Sequence, residues 1–155
     1  MPEPYAPPVQ RQPFVDYHPK FVSVVIMADP DAPKRFVQDI SSYAEGSWRW
    51  TERRPTVRLR LNSNEKLKYT IDFTIPDVTF KDTGPVTISF FVNDHMLDKI
   101  HYPNPGYQHF EKAVPAEWVK PNEETLVGAE IDKMWISKDD GTQFGFIITR
   151  IGLTQ

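Results

Sequence analysis

Two tryptophans and an arginine stand together at Trp48-Arg49-Trp50, with Arg53 close behind them. An aromatic ring stacks on the apolar face of a sugar, and planar charged groups hydrogen-bond its hydroxyls. In an extended chain the two tryptophans share one side, because alternate residues point to the same face. We expect that side to pack in the core and Arg49 to be exposed. A carbohydrate-binding surface formed by Trp48, Arg49, Trp50 and Arg53 is the alternative.

A second polar and aromatic cluster comprises His95, His101, Tyr102, Tyr107 and His109. No two of these histidines have the helical spacing of a zinc motif. We therefore expect residues of surface loops. Because loops at one end of a β-sandwich often carry ligand sites, His95, His101 and Tyr107 are the second set of candidates for binding a ligand.

The chain carries no recognisable catalytic motif. Cysteine is absent, so thiolate chemistry and disulfides are excluded. There is no Gly-x-Ser-x-Gly turn, no glycine-rich phosphate loop and no metal motif, so we expect no catalytic residue and no cofactor. The acids at 29–31 and 139–140 are typical of turns, and a structural calcium ion is the alternative. A sugar-active enzyme stays open as a second alternative, because linear spacing does not reveal a carboxylate pair.

Alternating apolar residues indicate the strands that would position these groups. Residues 86–92 alternate, and Asn93-Asp94 has turn chemistry, so we predict a hairpin that returns through residues 96–100. Residues 56–61 and 67–75 alternate as well, and we predict that these two strands pair antiparallel. We read Trp48–Thr51 as a separate short strand that turns at residues 52–55.

The whole pattern predicts an all-β fold. Residues 21–28 have the composition of a central strand covered on both faces, and residues 76–85 consist of breakers around a short edge piece. Eight to ten short strands without a convincing amphipathic helix predict a two-layer antiparallel β-sandwich. The predicted core comprises Val57, Leu59, Leu61, Tyr69, Ile71, Phe73, Val86, Ile88, Phe90, Val127, Ile131, Phe146 and Ile148.

Several turns resemble those of one known family. The motif Val92-Asn93-Asp94-His95, the pair Val114-Pro115 and the segment 119–127 are similar to the later half of galactose-binding-like jelly-roll domains, with Gly106 and Phe110 between them. Asp94 and Glu123 stand where glycine is usual. The segment 45–51 also resembles uncharacterised bacterial β-sandwich domains that occur beside glycosyltransferase modules. The resemblance covers residues 37–153 and implies a jelly-roll fold with a sugar-binding, interaction or spacer role.

Composition and charge limit the partners. The 155 residues include 18 basic and 21 acidic side chains, and this balance gives no general attraction to nucleic acid or to an anionic membrane. No apolar stretch approaches a membrane span and the N-terminus does not read as a signal peptide, so we expect a soluble protein of unassigned compartment. A proline-rich arm or linker, residues 1–20, precedes a single domain, residues 21–155. We expect a noncatalytic carbohydrate-binding or accessory module, with a protein-interaction or structural domain as the alternative.

Overall fold

The computed structural model describes residues 24–154, in which eleven strands and one short α-helix are formed. The predictions for the arm 1–20 and for residues 21–23 lie outside this range. The strands are β1 (Val24–Ile26), β2 (Phe36–Ile40), β3 (Arg49–Arg60), β4 (Lys68–Ile75), β5 (Val86–Val92), β6 (His95–Tyr102), β7 (Gly106–Ala113), β8 (Glu124–Ile131), β9 (Trp135–Ile136), β10 (Gln143–Phe144) and β11 (Ile147–Thr154). Helix α1 spans Asp77–Thr83, and Ala32–Arg35 and Ala116–Trp118 form single 3-10 turns. Within the described range, no helix has the length and apolar character needed to cross a membrane.

One antiparallel sheet dominates the fold, with the strand order β6-β5-β8-β3-β11-β4-β7. Strand β1 adds to β11, and β2 adds to β3. The sheet folds about β3, whose first residues pair with β11 (Trp50 with Ile147) and whose later residues pair with β8 (Val57 with Val127). The end strands β6 and β7 are separated in sequence by residues 103–105 only. The sheet is thus nearly closed, and the predicted all-β class is confirmed.

The core lies between the two halves of this folded sheet. All thirteen residues of the predicted core are buried there. Phe90 of β5 and Phe110 of β7 stack across the interior, with ring centroids 4.0 Å apart and planes 6° apart. The hydroxyl of Tyr69 donates to the carbonyl of Gly128 over 2.8 Å, which satisfies a polar group in the interior. Burial raises the pKa of Tyr69 well above its ordinary value, so the phenol stays neutral.

The predicted pairing of residues 56–61 with 67–75 is wrong. Strand β3 pairs with β2, β8 and β11, whereas β4 pairs with β11 and β7. Alternation reveals which side chains face inward but carries no information about the neighbouring strand. The turn predicted at residues 52–55 is also absent, because β3 continues through them.

Two further predictions about local structure are corrected. The strand predicted as central is represented by β1, which pairs with β11 alone among the described strands and leaves Ile26 53% exposed. The edge piece predicted after Pro76 is helix α1, and it ends at Gly84, whose N–H donates to the carbonyl of Phe80 over 2.8 Å. Gly84 has a φ of 74°, a conformation that glycine adopts without strain. The hairpin β5–β6 is confirmed, with Asn93 left-handed at its turn.

Candidate functional site

The outer face of β3-β11-β4-β7 carries a row of four side chains that we call the aromatic row. The pairing registers place Trp50, Ile147, Thr74 and Tyr107 directly beside one another across the four strands. Directly opposed residues point to the same side of a sheet. Three strand spacings separate Trp50 from Tyr107, or about 14 Å. Tyr107 is 64% exposed and the other three are partly buried, so the row is accessible with an aromatic ring at each end.

A second row, the polar row, lies next to the first and contains Ile26, Arg150, Asp72 and His109. The Asp72 carboxylate connects both rows. It accepts hydrogen bonds from Arg150 Nε over 2.8 Å and from Tyr107 Oη over 2.9 Å, and it also bonds to Nδ1 of His109. The phenol ring of Tyr107 is therefore tied to the sheet although most of it faces solvent.

His109 lies between two carboxylates. Its Nδ1 contacts Asp72, and its Nε2 lies 3.3 Å from Glu111 Oε1. Both ring nitrogens can donate at once only in the protonated imidazolium. The hydrogen bond with Asp72 raises the pKa of His109; burial opposes this rise and Glu111 adds to it. The geometry and the pKa both favour a positively charged His109.

The charge state of Asp72 results from opposing effects. Burial acts to raise the pKa of Asp72, but hydrogen bonds from His109 and Tyr107, together with the charge of Arg150, outweigh it and lower the pKa. The carboxylate is ionised and its side chain is only 13% exposed. The terminal guanidinium nitrogens of Arg150 have no hydrogen-bond partner within residues 24–154, and this side chain is 41% exposed. The polar row thus offers hydrogen-bond donors to a ligand.

Trp48 and Trp50 do not pack in the core, so that prediction is wrong. Both are partly buried on the outside of the sheet, with their rings edge to face at 5.9 Å. Phe144 of the β9–β10 hairpin lies 4.7 Å from the Trp50 ring and 5.7 Å from the Trp135 ring. Alternation correctly put the two tryptophans on one side, but that side is the outer face, where the hairpin packs against part of the Trp50 ring.

Arg49 is buried, with 2% exposure, so the prediction that it is exposed is also wrong. Its guanidinium donates to three backbone carbonyls, those of Met27 at 2.9 Å, Ser41 at 3.2 Å and Asp29 at 3.4 Å. An arginine can be buried when its donors are satisfied. Desolvation lowers the pKa of Arg49, and the charge of Asp29 partly offsets this effect. Arg49 joins three chain segments and is not accessible to a ligand.

The remaining predicted site residues do not meet at one place. Arg53 is exposed and lies 3.4 Å from the carbonyls of Ile131 and Asp132. His95, at the start of β6, stacks on the Trp118 ring at 4.7 Å. His101, near the end of β6, lies 3.2 Å from the hydroxyl of Thr87.

The second predicted cluster is therefore split. Tyr102 is buried in the core, and Tyr107 and His109 share the outer face of β7. His95 and His101 lie on β6, which is the opposite end of the strand order from β7.

Asp72, Arg150 and Glu111 also belong to this site, although they were not predicted from the sequence as site residues. The alternation of β4 already put Asp72 on the solvent face, together with Thr74. What the sequence lacked was the order β11-β4-β7, which brings Arg150 and His109 to either side of Asp72.

Within residues 24–154 no three His, Asp or Glu side chains are grouped so that they would hold a metal ion. Two of the acids at 29–31 and 139–140 make turn contacts. Asp29 Oδ1 accepts from the N–H of Asp31, and Asp140 Oδ1 accepts from the N–H of Thr142.

Comparison with known proteins gives no relative. No family model matches the chain, and no curated protein and no solved structure matches it either. The resemblance to galactose-binding-like domains thus has no family or homologue behind it.

Proposed function

We propose that the protein is a noncatalytic carbohydrate-binding domain that binds its ligand on the aromatic row and the polar row. The finer fold assignment, a two-layer galactose-binding-like sandwich, belongs to the same proposal. In such a sandwich, the two halves of the nearly closed sheet would be the two layers.

The observation that carries this proposal is the common row of Trp50 and Tyr107. A sugar ring presents an apolar C–H face to an aromatic ring and hydroxyls to its sides. Two aromatic residues whose backbone positions lie about 14 Å apart along the sheet suit an extended oligosaccharide better than a single small molecule. Thr74 stands between them in the same row and Arg150 in the polar row beside it, and their hydroxyl and guanidinium groups would supply hydrogen bonds.

Binding without cleavage fits the charge state of this face. A glycosidase needs a carboxylic acid that keeps its proton near neutral pH. Asp72 has the opposite property, since its pKa is lowered and both of its oxygens accept hydrogen bonds. His109 is held between Asp72 and Glu111. We therefore rank a sugar-active enzyme below a binding domain.

A broad glycan array tests the proposal, followed by titration of the glycans it identifies. Tyr107→Ala removes the most exposed ring of the row and is expected to weaken binding about tenfold or more, which corresponds to about 1.4 kcal/mol or more. His101→Ala is the control, because His101 is exposed on β6 and lies outside both rows. Binding that is unchanged in Tyr107→Ala would contradict the proposed face. Failure to bind any glycan would favour the protein-interaction or structural alternative.

A further inference from the structure

A second accessible site lies where β3 ends. Arg35, Arg58, Leu59, Arg60 and Glu124 line a groove of about 430 Å³. This volume is within the range of small-molecule sites. The groove opens beyond the last residue pair of β2 and β3, Phe36 with Val57, and among the described strands this part of β3 pairs with β8 alone. It belongs to the other half of the sheet from the two rows of the proposed carbohydrate face.

The groove concentrates positive charge in a protein whose net charge is −3. Arg58 and Arg60 share one face of β3, about 6.6 Å apart along the strand. Both are exposed, and among the described residues the groove contains one acid, Glu124, whose carboxylate lies 3.9 Å from Arg58. Arg60 makes no hydrogen bond or ion pair with any residue in the described part of the chain. Lys34 is next to Arg35 in sequence, and its backbone carbonyl lies 3.5 Å from the Arg58 guanidinium.

Like charges held this close repel one another, and in the described part of the groove one carboxylate, that of Glu124, faces two guanidinium groups, those of Arg58 and Arg60. An anion in the groove would remove that repulsion. Guanidinium groups bind phosphate oxygens in a planar, two-pronged geometry, and several arginines around one groove are suited to a phosphate group. We propose that this groove binds the phosphate group of a small soluble ligand, with Arg58 and Arg60 as its principal contacts.

Protection of an unpaired strand edge would also explain charged side chains at this place. That role needs charge alone, so lysine would serve as well as arginine. A two-pronged contact with a phosphate needs the guanidinium geometry, and replacement by lysine should weaken it. The variant Arg60→Lys therefore separates the two explanations.

Isothermal titration in low-salt buffer tests the proposal, with inorganic phosphate and glucose 6-phosphate as separate probes. Arg58→Ala and Arg60→Ala should each weaken binding about tenfold or more, because each removes a charge-assisted contact. Arg60→Lys should lose part of the affinity. Lys138→Ala is the control, since Lys138 is exposed, lies outside the groove and also removes one positive charge. Melting temperatures of all four variants should stay near that of the parent protein, because these side chains are exposed.

The two probes identify the source of the phosphate group. Equal affinities would assign the site to the phosphate group itself, whereas tighter binding of glucose 6-phosphate would assign it to a phosphate monoester. The proposal is overturned if neither probe binds at millimolar concentration. It is also overturned if Lys138→Ala weakens binding as much as Arg60→Ala, or if Arg60→Lys binds as tightly as the parent protein.

Discussion

The hydroxyl of Tyr107 donates a hydrogen bond to the Asp72 carboxylate over 2.9 Å, from β7 to β4. Arg150 Nε donates to the same carboxylate from β11, and His109 bonds to it from β7. One aspartate thus joins three neighbouring strands on their outer face. The position of the Tyr107 ring depends on this carboxylate, so the stability of the sheet and any binding on its face are physically linked.

The first prediction concerns that link. Asp72→Asn replaces one acceptor oxygen by an NH₂ group, which would face a donor and cannot accept from it. We expect the free energy of unfolding to fall by about 1–3 kcal/mol. Urea unfolding measures this change. Asp94→Asn is the control, because Asp94 is an exposed turn residue without a hydrogen-bond partner among residues 24–154. Equal unfolding free energies for Asp72→Asn and the parent protein would show that the network contributes no stability.

The second prediction concerns pH. The pKa of His109 is higher in the folded than in the unfolded protein, since Asp72 and Glu111 stabilise its charged form. Its contribution to stability is therefore fully present below about pH 6.5, the ordinary pKa of histidine, and disappears as the pH rises through the higher folded pKa. Two further charged side chains face this network, Arg150, which donates to Asp72, and Lys68, which lies 3.7 Å from Glu111.

His109→Gln should lose this contribution. We expect the difference in unfolding free energy between the parent protein and His109→Gln to be largest in mildly acidic solution and to shrink as the pH rises above about 6.5. Urea unfolding over a series of pH values measures the difference, with His101→Gln as the control. A difference that grows with increasing pH would have the wrong sign and would contradict the assigned hydrogen bonds.

The third prediction compares two neighbouring arginines. Arg49→Ala removes the guanidinium donor of three backbone carbonyls, of which that of Asp29 keeps the Ala32 N–H at 3.0 Å, and should lower the free energy of unfolding by about 2–4 kcal/mol. Arg53→Ala should change it by about 0.5 kcal/mol or less, since Arg53 is exposed and its contacts are 3.4 Å long. Thermal and urea unfolding of both variants measure the contrast. Similar effects of the two substitutions would contradict the structural role given to Arg49.

The sequence predicted the inward faces of the strands well. In β4 and β5, alternating apolar residues identify Ile71 and Ile88 as core residues, because burial on one face of a strand imposes a period of two. Strand partners could not be predicted in this way. Residues 56–61 and 67–75 follow each other in the chain but belong to different halves of the sheet. Alternation is a property of one strand, whereas pairing depends on the packing of all of them.

The same limit applies to the candidate site. Tyr107 was a candidate from its residue type and position, but its partner Asp72 lies 35 residues earlier in the chain. Only the strand order brings the two together. Arg49 shows the converse case. A charged residue between two tryptophans suggested an exposed site, but carbonyls more than one strand length away in the chain accept from its guanidinium and allow it to be buried.

The fourth prediction concerns the Trp50 end of the aromatic row. It distinguishes a side chain that only packs against Trp50 from one that contacts the ligand. Trp50 and Phe144 lie 4.7 Å apart and are both partly buried, so Trp50→Ala and Phe144→Ala should each lower the free energy of unfolding by about 1–3 kcal/mol. Only Trp50 belongs to the aromatic row. For a glycan identified on the array, we expect Trp50→Ala to weaken binding about tenfold or more. Phe144→Ala should keep most of the affinity. Titration of both variants below their melting temperatures decides the matter, and equal losses of affinity would mean that the β9–β10 hairpin, rather than the Trp50 ring, forms this end of the binding face.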